Sequence, residues 1–307
     1  MTNIKSLWRD RRFWQIAGQF IAVLLAVVII TILWGNLYRN LQQLGIQFGF
    51  DFLKQQSSFD IGETLITYKP TDTYTRALWV GLVNSLRVAV TGIFLTTIVG
   101  VGAGIARLSD NWLVRNITVV YVEIFRNTPL LLQLLFWYFA VFLGFPKVES
   151  KISLWGLVHL SQNGIEMPWF TLSPEFSALL LGLICYTGAF IAEIVRGGIQ
   201  SVPKGQWEAA RSLGLKPGLV MRLVVFPQAL RVIIPPLTSQ YLNLTKNSSL
   251  AIAIGYPDIY FVASTTFNQT GRAAEVMLLI IFTYLTLSLT ISIVMNLFNR
   301  MVQIHER

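Results

Sequence analysis

Ionisable groups are scarce along this sequence, so those that interrupt its apolar stretches are the side chains best placed to do chemistry. Glu193, Lys246 and Asp258 lie in or beside such stretches, and Asn243, Asn247, Ser248 and Ser249 crowd around Lys246. A carboxylate, an ammonium group and several amides and hydroxyls could line a polar path at depth, where an unpaired charge is costly. In that reading Lys246 attracts an anionic group and Glu193 a cationic one, with Tyr186 and Thr187 on the preceding span facing them. A structural reading stands beside it: Lys246 pairs with Glu193 or Asp258 or snorkels, and the Asn and Ser side chains only hold helices together. The spacing of Glu193, Lys246 and Asp258 does not form the nucleophile, acid pair or ligand set of an intramembrane enzyme. One cysteine, Cys185, and two histidines, His159 and His305, exclude an intrachain disulfide framework and leave little for a metal, so no cofactor is expected. Phosphate-loop, zinc-protease and nucleophile-elbow motifs are absent, so ATP is not bound by this chain in the P-loop manner.

A second cluster sits in a basic segment, Ser201-Val-Pro-Lys-Gly-Gln-Trp-Glu-Ala-Ala-Arg-Ser-Leu-Gly-Leu-Lys-Pro-Gly218. Ser201 as N-cap, Pro203 in the first turn and Gly214 before Lys216-Pro217-Gly218 predict a helix of about two to three turns. Such a helix can be a plain solvated connector. Glu208-Ala209-Ala210, however, sets two methyl groups beside one carboxylate, which leaves room for another protein to close over it, and Gly214 allows the sharp exit of a protruding knob.

The elements that must position these residues follow from composition. Of 307 residues, 54% are apolar and 13% charged, and mean hydropathy is +0.58. A water-soluble domain carries about a quarter charged residues, so this composition excludes one. The net charge of +9 is spread between apolar runs rather than clustered on one face, which argues against nucleic acid and for topology information. Uncharged runs at 13–38, 88–106, 127–146, 176–192 and 276–299, with a less regular, charge-bearing apolar span at 228–255, predict six spans. Arg231, Pro235-Pro236 and Lys246 in the irregular run predict a helix broken near the prolines and packed within protein. Gly100, Gly102 and Gly104 read as a close helix contact rather than a nucleotide fingerprint, because no strand precedes them.

Lys5, Arg9, Arg11 and Arg12 before the first span, with the basic bias of the segment around Glu208, place both termini inside. The segments 35–74 and 145–175 then lie outside, and the first span is an uncleaved anchor.

Three motifs carry a resemblance. Glu208-Ala209-Ala210, Gly214 and then Val224-Val225-Phe226-Pro227 are similar to the EAA loop of ATP-binding-cassette importer permeases, with Val224 and Phe226 as mild departures. The stretch from Tyr121 through Arg126-Asn127-Thr128-Pro129 to Leu131 resembles the lead-in to a core span of the polar amino-acid subfamily. Asn243-Leu-Thr-Lys-Asn-Ser-Ser-Leu250, Ile254-Gly-Tyr-Pro-Asp258 and Asn268-Gln-Thr-Gly271 resemble its general L-amino-acid members. The resemblance runs from about Arg76 to the end; the first span, segment 35–74 and insert 145–175 depart from the smaller members and match a larger subtype, the first permease of a pair.

It implies an all-α polytopic fold: residues 1–75 form the N-terminus, anchor and external segment, and 76–307 a five-helix permease core with the EAA loop at 199–227. It further implies a bacterial inner-membrane subunit of an amino-acid importer, with two cytoplasmic ATP-binding subunits, a second permease, a paralogue rather than a copy, and a periplasmic binding protein as partners. ATPase coupling falls to Glu208, Ala209, Ala210 and Gly214, and the substrate path to Glu193, Asn243, Lys246, Asn247, Ser248 and Ser249. A secondary transporter or channel is the rival class, and ATP dependence of uptake separates the two.

Overall fold

The computed structural model describes residues 11–43, 48–154 and 156–302, so the expectations for Lys5, Arg9 and His305 fall outside the described residues. By contact the chain divides into two units, 1–51 and 52–307. The first holds one helix, α1 (Arg11–Gln43), whose apolar side chains from Ile16 to Trp34 are exposed along its length. Its 33 residues reach about 50 Å at 1.5 Å each, more than the ~30 Å hydrocarbon layer requires.

The second unit begins with an ordered segment, 52–73, closed by a bridge between Gln56 and Thr73. Within it the Ser57 hydroxyl donates to the Asp72 carbonyl at 2.9 Å, and Phe52, Phe59 and Ile61 pack beside the following helix. That helix, α2 (Tyr74–Ala106), starts from Thr73 as N-cap. Next come α3 (Trp112–Asn127), capped by Asn111, and α4 (Leu130–Leu135), which continues as a π-helical stretch, Phe136–Phe142.

The expected third span, 127–146, is thereby corrected. Thr128 is extended before Pro129, as pre-proline sterics demand, and the chain bends by 107° between α3 and α4. The six- and seven-residue pieces after the bend reach only about 20 Å, too little to cross alone. Among the described residues five helices are long and apolar enough to span, and six spans result when this bent pair counts as one.

The insert is not helical. Residues 152–172 form an antiparallel meander in the order β1 (Ile152–Leu154), β2 (Val158–Ser161), β3 (Gly164–Met167), β4 (Phe170–Leu172), with Leu160 opposite Ile165 and Glu166 opposite Thr171. The fold is thus mostly helical, and its membrane part is the all-α portion.

The meander leads into α5 (Pro174–Gln200), capped by Ser173, which is the most buried of the long helices. Two of the glycines near the end of α2 explain why. A Cβ on Gly100 would stand 2.5 Å from Ile191, and one on Gly104 would stand 2.7 Å from the Ala192 carbonyl oxygen, so both are needed for the α2–α5 approach; Gly102 faces open space. Beyond α5 lie α6 (Lys204–Ser212), α7 (Pro217–Val220), a π turn, Met221–Val225, and α8 (Phe226–Asn247). A 3-10 stretch, Ser248–Ile254, then precedes α9 (Ile259–Thr270) and α10 (Ala273–Val302).

Against expectation, α8 runs unbroken through Pro235-Pro236. The prolines remove two donors, yet the buried residues Ile233, Ile234 and Leu237 around them hold the helix in register. The irregularity falls later, where Ser248 begins the 3-10 turn and Gly255 ends it at φ +77°.

Candidate functional site

The segment after α5 folds as a short helix with one seated and one open face. Ser201 is not its N-cap: α5 extends to Gln200, and the Ser201 hydroxyl donates to the Gly198 carbonyl at 2.7 Å, closing α5 instead. Pro203 holds the N-cap position of α6, without a side-chain bond. At the other end the Gly214 amide donates to the Arg211 carbonyl at 2.9 Å and the Leu215 amide to the Ala210 carbonyl at 3.3 Å. These are the two bonds of a Schellman motif, and they require the left-handed Gly214, φ +79°. Buried Ala210, with Trp207 and Leu215 beside it, packs into the apolar cluster that holds Val220, Val225 and Ile233. Glu208, Ala209 and Leu213 point the other way, and Leu213 is 82% exposed.

The apolar cluster under α6 continues along α8 to Tyr241, whose hydroxyl lies 2.6 Å from that of Thr97 on α2. On its other side α8 carries a helical-period row of exposed residues, Pro236, Ser239, Asn243 and Lys246. Between this row and α5 lies a cavity of about 270 Å³, lined by Tyr186, Thr187 and Phe190 from α5 and by Gln240, Asn243 and Asn247 from α8.

The structure thus brings Asn243 and Asn247 together with Tyr186 and Thr187. Lys246 is exposed beside them but not among the lining residues. The Ser248 and Ser249 hydroxyls turn back onto the helix, donating to the Thr245 and Lys246 carbonyls at 2.8 and 2.7 Å. Asp258 is fully buried; it caps α9 by accepting from the Phe261 amide at 2.8 Å and also accepts from the Tyr284 hydroxyl at 3.2 Å.

Glu193 does not reach the cavity. It lies one turn beyond Phe190 and is ion-paired to Arg107, from the end of α2, and to Arg196, three residues on. The Arg196 contact is readable from i,i+3 spacing, whereas Arg107 is brought in by the fold alone. Sequence reasoning also missed Phe190, Gln240 and Leu213, whose side chains carry no polar signature or lie outside the motifs.

Comparison with known proteins decides the class. Residues 77–304 match the family described as binding-protein-dependent transport system inner membrane component. The chain belongs to this family. It is also 40% identical to the general L-amino acid transport system permease protein AapQ of Rhizobium johnstonii, over 99% of this chain and 96% of that protein. It is 38% identical to the glutamate/glutamine/aspartate/asparagine transport system permease protein BztB of Rhodobacter capsulatus, over 99% of this chain and 97% of that one. Both similarities extend through α1 and the β insert. A solved structure described as an amino acid ABC transporter with histidines superposes with a TM-score of 0.60 at 29% identity, covering 74% of this chain and 94% of that one.

An inner-membrane component of this family is a multi-pass permease that works with a binding protein and with an ATPase on a separate chain.

Proposed function

We propose that this permease imports amino acids, contributes half of a path between α5 and α8, and is driven through α6 by a cytoplasmic ATPase. The observation that carries the reading is the seating of α6: Ala210, Trp207 and Leu215 anchor it, while Glu208, Ala209 and Leu213 stay open. An element that transmits force must be fixed to its own chain on one side and free to dock on the other. In this reading the α6 end faces the cytoplasm and both termini lie inside, while the β insert faces the periplasmic binding protein. The row Pro236, Ser239, Asn243 and Lys246 cannot face lipid, because a cation and an amide there are costly. A second permease, a paralogue by the subtype that the chain resembles, faces the row and completes the cavity. Its volume of about 270 Å³ is below the ~300–1,000 Å³ of a complete small-molecule site, as a half-site should be. Asn243, Asn247 and Lys246 then meet the substrate, Ser248 and Ser249 shape the helix end behind them, and Glu193 with its arginines bounds the cytoplasmic side. The names of AapQ and BztB favour amino acids, with glutamate and glutamine the first pair to assay.

The test is reconstitution of this chain with its second permease, ATPase and binding protein in proteoliposomes. Uptake of radiolabelled glutamate or glutamine that requires internal or external ATP on the α6 side, and the binding protein on the other, is expected. Uptake driven by an ion gradient without ATP would overturn the reading in favour of a secondary transporter.

A further inference from the structure

At the end of α5 far from α6 lies a second cavity, of about 550 Å³. Three stretches line it: Gly62 and Glu63 of the segment 52–73, Gln162 and Asn163 at the β2–β3 turn, and Ser173 and Glu175 at the start of α5. All of them fall in the parts of the sequence, 35–74 and 145–175, that depart from the smaller permeases.

Glu63 joins these stretches to the core. Its carboxylate is ion-paired to Arg87 of α2 and accepts from the Ser173 hydroxyl, which itself caps α5 by accepting from the Phe176 amide at 3.0 Å. Its backbone carbonyl accepts from the buried Asn84 amide at 2.8 Å, and the same amide donates at 2.9 Å to the Pro257 carbonyl, just before α9. The Arg87 guanidinium carbon lies 3.8 Å from the centroid of Phe176, in the first turn of α5. Both side chains of the ion pair are mostly buried, so removing either charge leaves the other desolvated and unpaired.

Anchoring a surface segment does not require this. The segment is already closed by the Gln56–Thr73 bridge and packed through Phe59 and Ile61. What Glu63 adds is a charged tie to one particular helix. From the cavity α5 runs 27 residues, about 40 Å, to Gln200, just before α6, and it is the most buried of the long helices. A load on the cavity rim therefore meets a rigid element that leads to the helix assigned to the ATPase, and packed elements joined by ion pairs are what carry coupling between distant faces.

We propose that this cavity seats a polar loop of the binding protein, and that Glu63 is the positioning residue that ties the seating to α2 and α5. The inference rests on the importer reading, with the β insert outside. The amides, hydroxyls and carboxylates of the lining suit a polar protein loop and disfavour a lipid chain.

The reconstituted complex is titrated with loaded binding protein while ATP hydrolysis is followed. The half-saturating concentration reports seating, and the ratio of stimulated to unstimulated hydrolysis at saturation reports transmission. Asn163→Trp fills the cavity from an exposed turn and is expected to raise the half-saturating concentration about tenfold, as overpacking does, with the ratio kept. Glu63→Gln is expected to do the reverse: the half-saturating concentration stays within about twofold, and the ratio falls about tenfold, as for a lost charge-assisted hydrogen bond. If Glu63→Gln does not assemble, the double variant Glu63→Gln, Arg87→Gln removes both charges together, leaves neither unpaired, and should show the same loss. A parental ratio in whichever of these assembles overturns the role of Glu63, since a merely structural residue changes yield or absolute rate and leaves the ratio alone. An unmoved half-saturating concentration in Asn163→Trp overturns the seat. If hydrolysis by the parental complex itself ignores the binding protein, the importer reading falls instead.

Discussion

The helix α6 and the cavity-facing stretch of α8 rest on the same apolar cluster, yet they present opposite kinds of surface. On α6 the anchors Trp207, Ala210 and Leu215 and the open residues Glu208, Ala209 and Leu213 all lie within nine positions of sequence, and every bond that shapes it is local. On α8 the proposed path face exists only because α5 lies across it: Asn243 and Asn247 line a cavity with Tyr186, Thr187 and Phe190, more than fifty positions away. One region is a device built by turn chemistry and the other is built by packing. The first should fail abruptly when a single backbone bond is lost, the second gradually as lining groups are trimmed.

The largest effect is therefore expected at Gly214. Valine there must take φ +79°, a conformation that costs an L-residue roughly 1–2 kcal/mol and more when β-branched. The Schellman bonds and the Leu215 anchor then loosen together. Uptake should fall at least about tenfold, a loss equivalent to the upper half of that strain, and ATP hydrolysis should no longer respond to loaded binding protein. Glu208→Lys should uncouple similarly while leaving α6 folded, since Glu208 touches only its open face. Coupled uptake at the parental rate in both variants would break the assignment of α6 as the ATPase contact.

How much of this was legible depends on the range of the interactions involved. The stop of α6 is written in Gly214 and Pro217, and the close approach of α2 to α5 in Gly100 and Gly104, because each is a local or periodic requirement. Ser201 misled because α5 runs on to Gln200 and claims it as a C-cap, a matter of packing rather than propensity. Pro235-Pro236 suggested a break that buried neighbours prevent. The β insert is made of three- and four-residue strands, too short for alternation to separate them from loop. Arg107 could be found only in space, since it follows a helix other than the one whose Glu193 it pairs with.

A smaller effect is expected where α8 meets the cavity. Asn247→Ala removes one amide from the lining without disturbing the helix, whose capping bond at Ser248 is made by backbone. A neutral hydrogen bond is worth about 0.5–1.5 kcal/mol, so KM or kcat should worsen by about two- to twelvefold. The complex should assemble normally and still respond to the binding protein. A change above about a hundredfold would instead mark Asn247 as structural, since it exceeds what one neutral contact supplies.

The smallest effect sharpens the comparison most, because it separates neighbours. Ser249 stands two residues beyond Asn247 in the same polar cluster and looks equally functional in the sequence. Its hydroxyl, however, bonds to the Lys246 carbonyl 2.7 Å away, within its own turn, and to the Tyr284 hydroxyl rather than into the cavity. Such a local bond competes with water and with the backbone itself and contributes little net free energy. Ser249→Ala should therefore keep uptake within about twofold of the parent, with an unchanged glutamate-to-glutamine ratio, because replacing a satisfied hydroxyl loses only that small net term. If Ser249→Ala proves as damaging as Asn247→Ala, the hydroxyl must leave Lys246 and turn toward substrate during the cycle. The path would then include the 3-10 turn, Ser248–Ile254, and the division between a packed site and its supporting helix end would move by one turn.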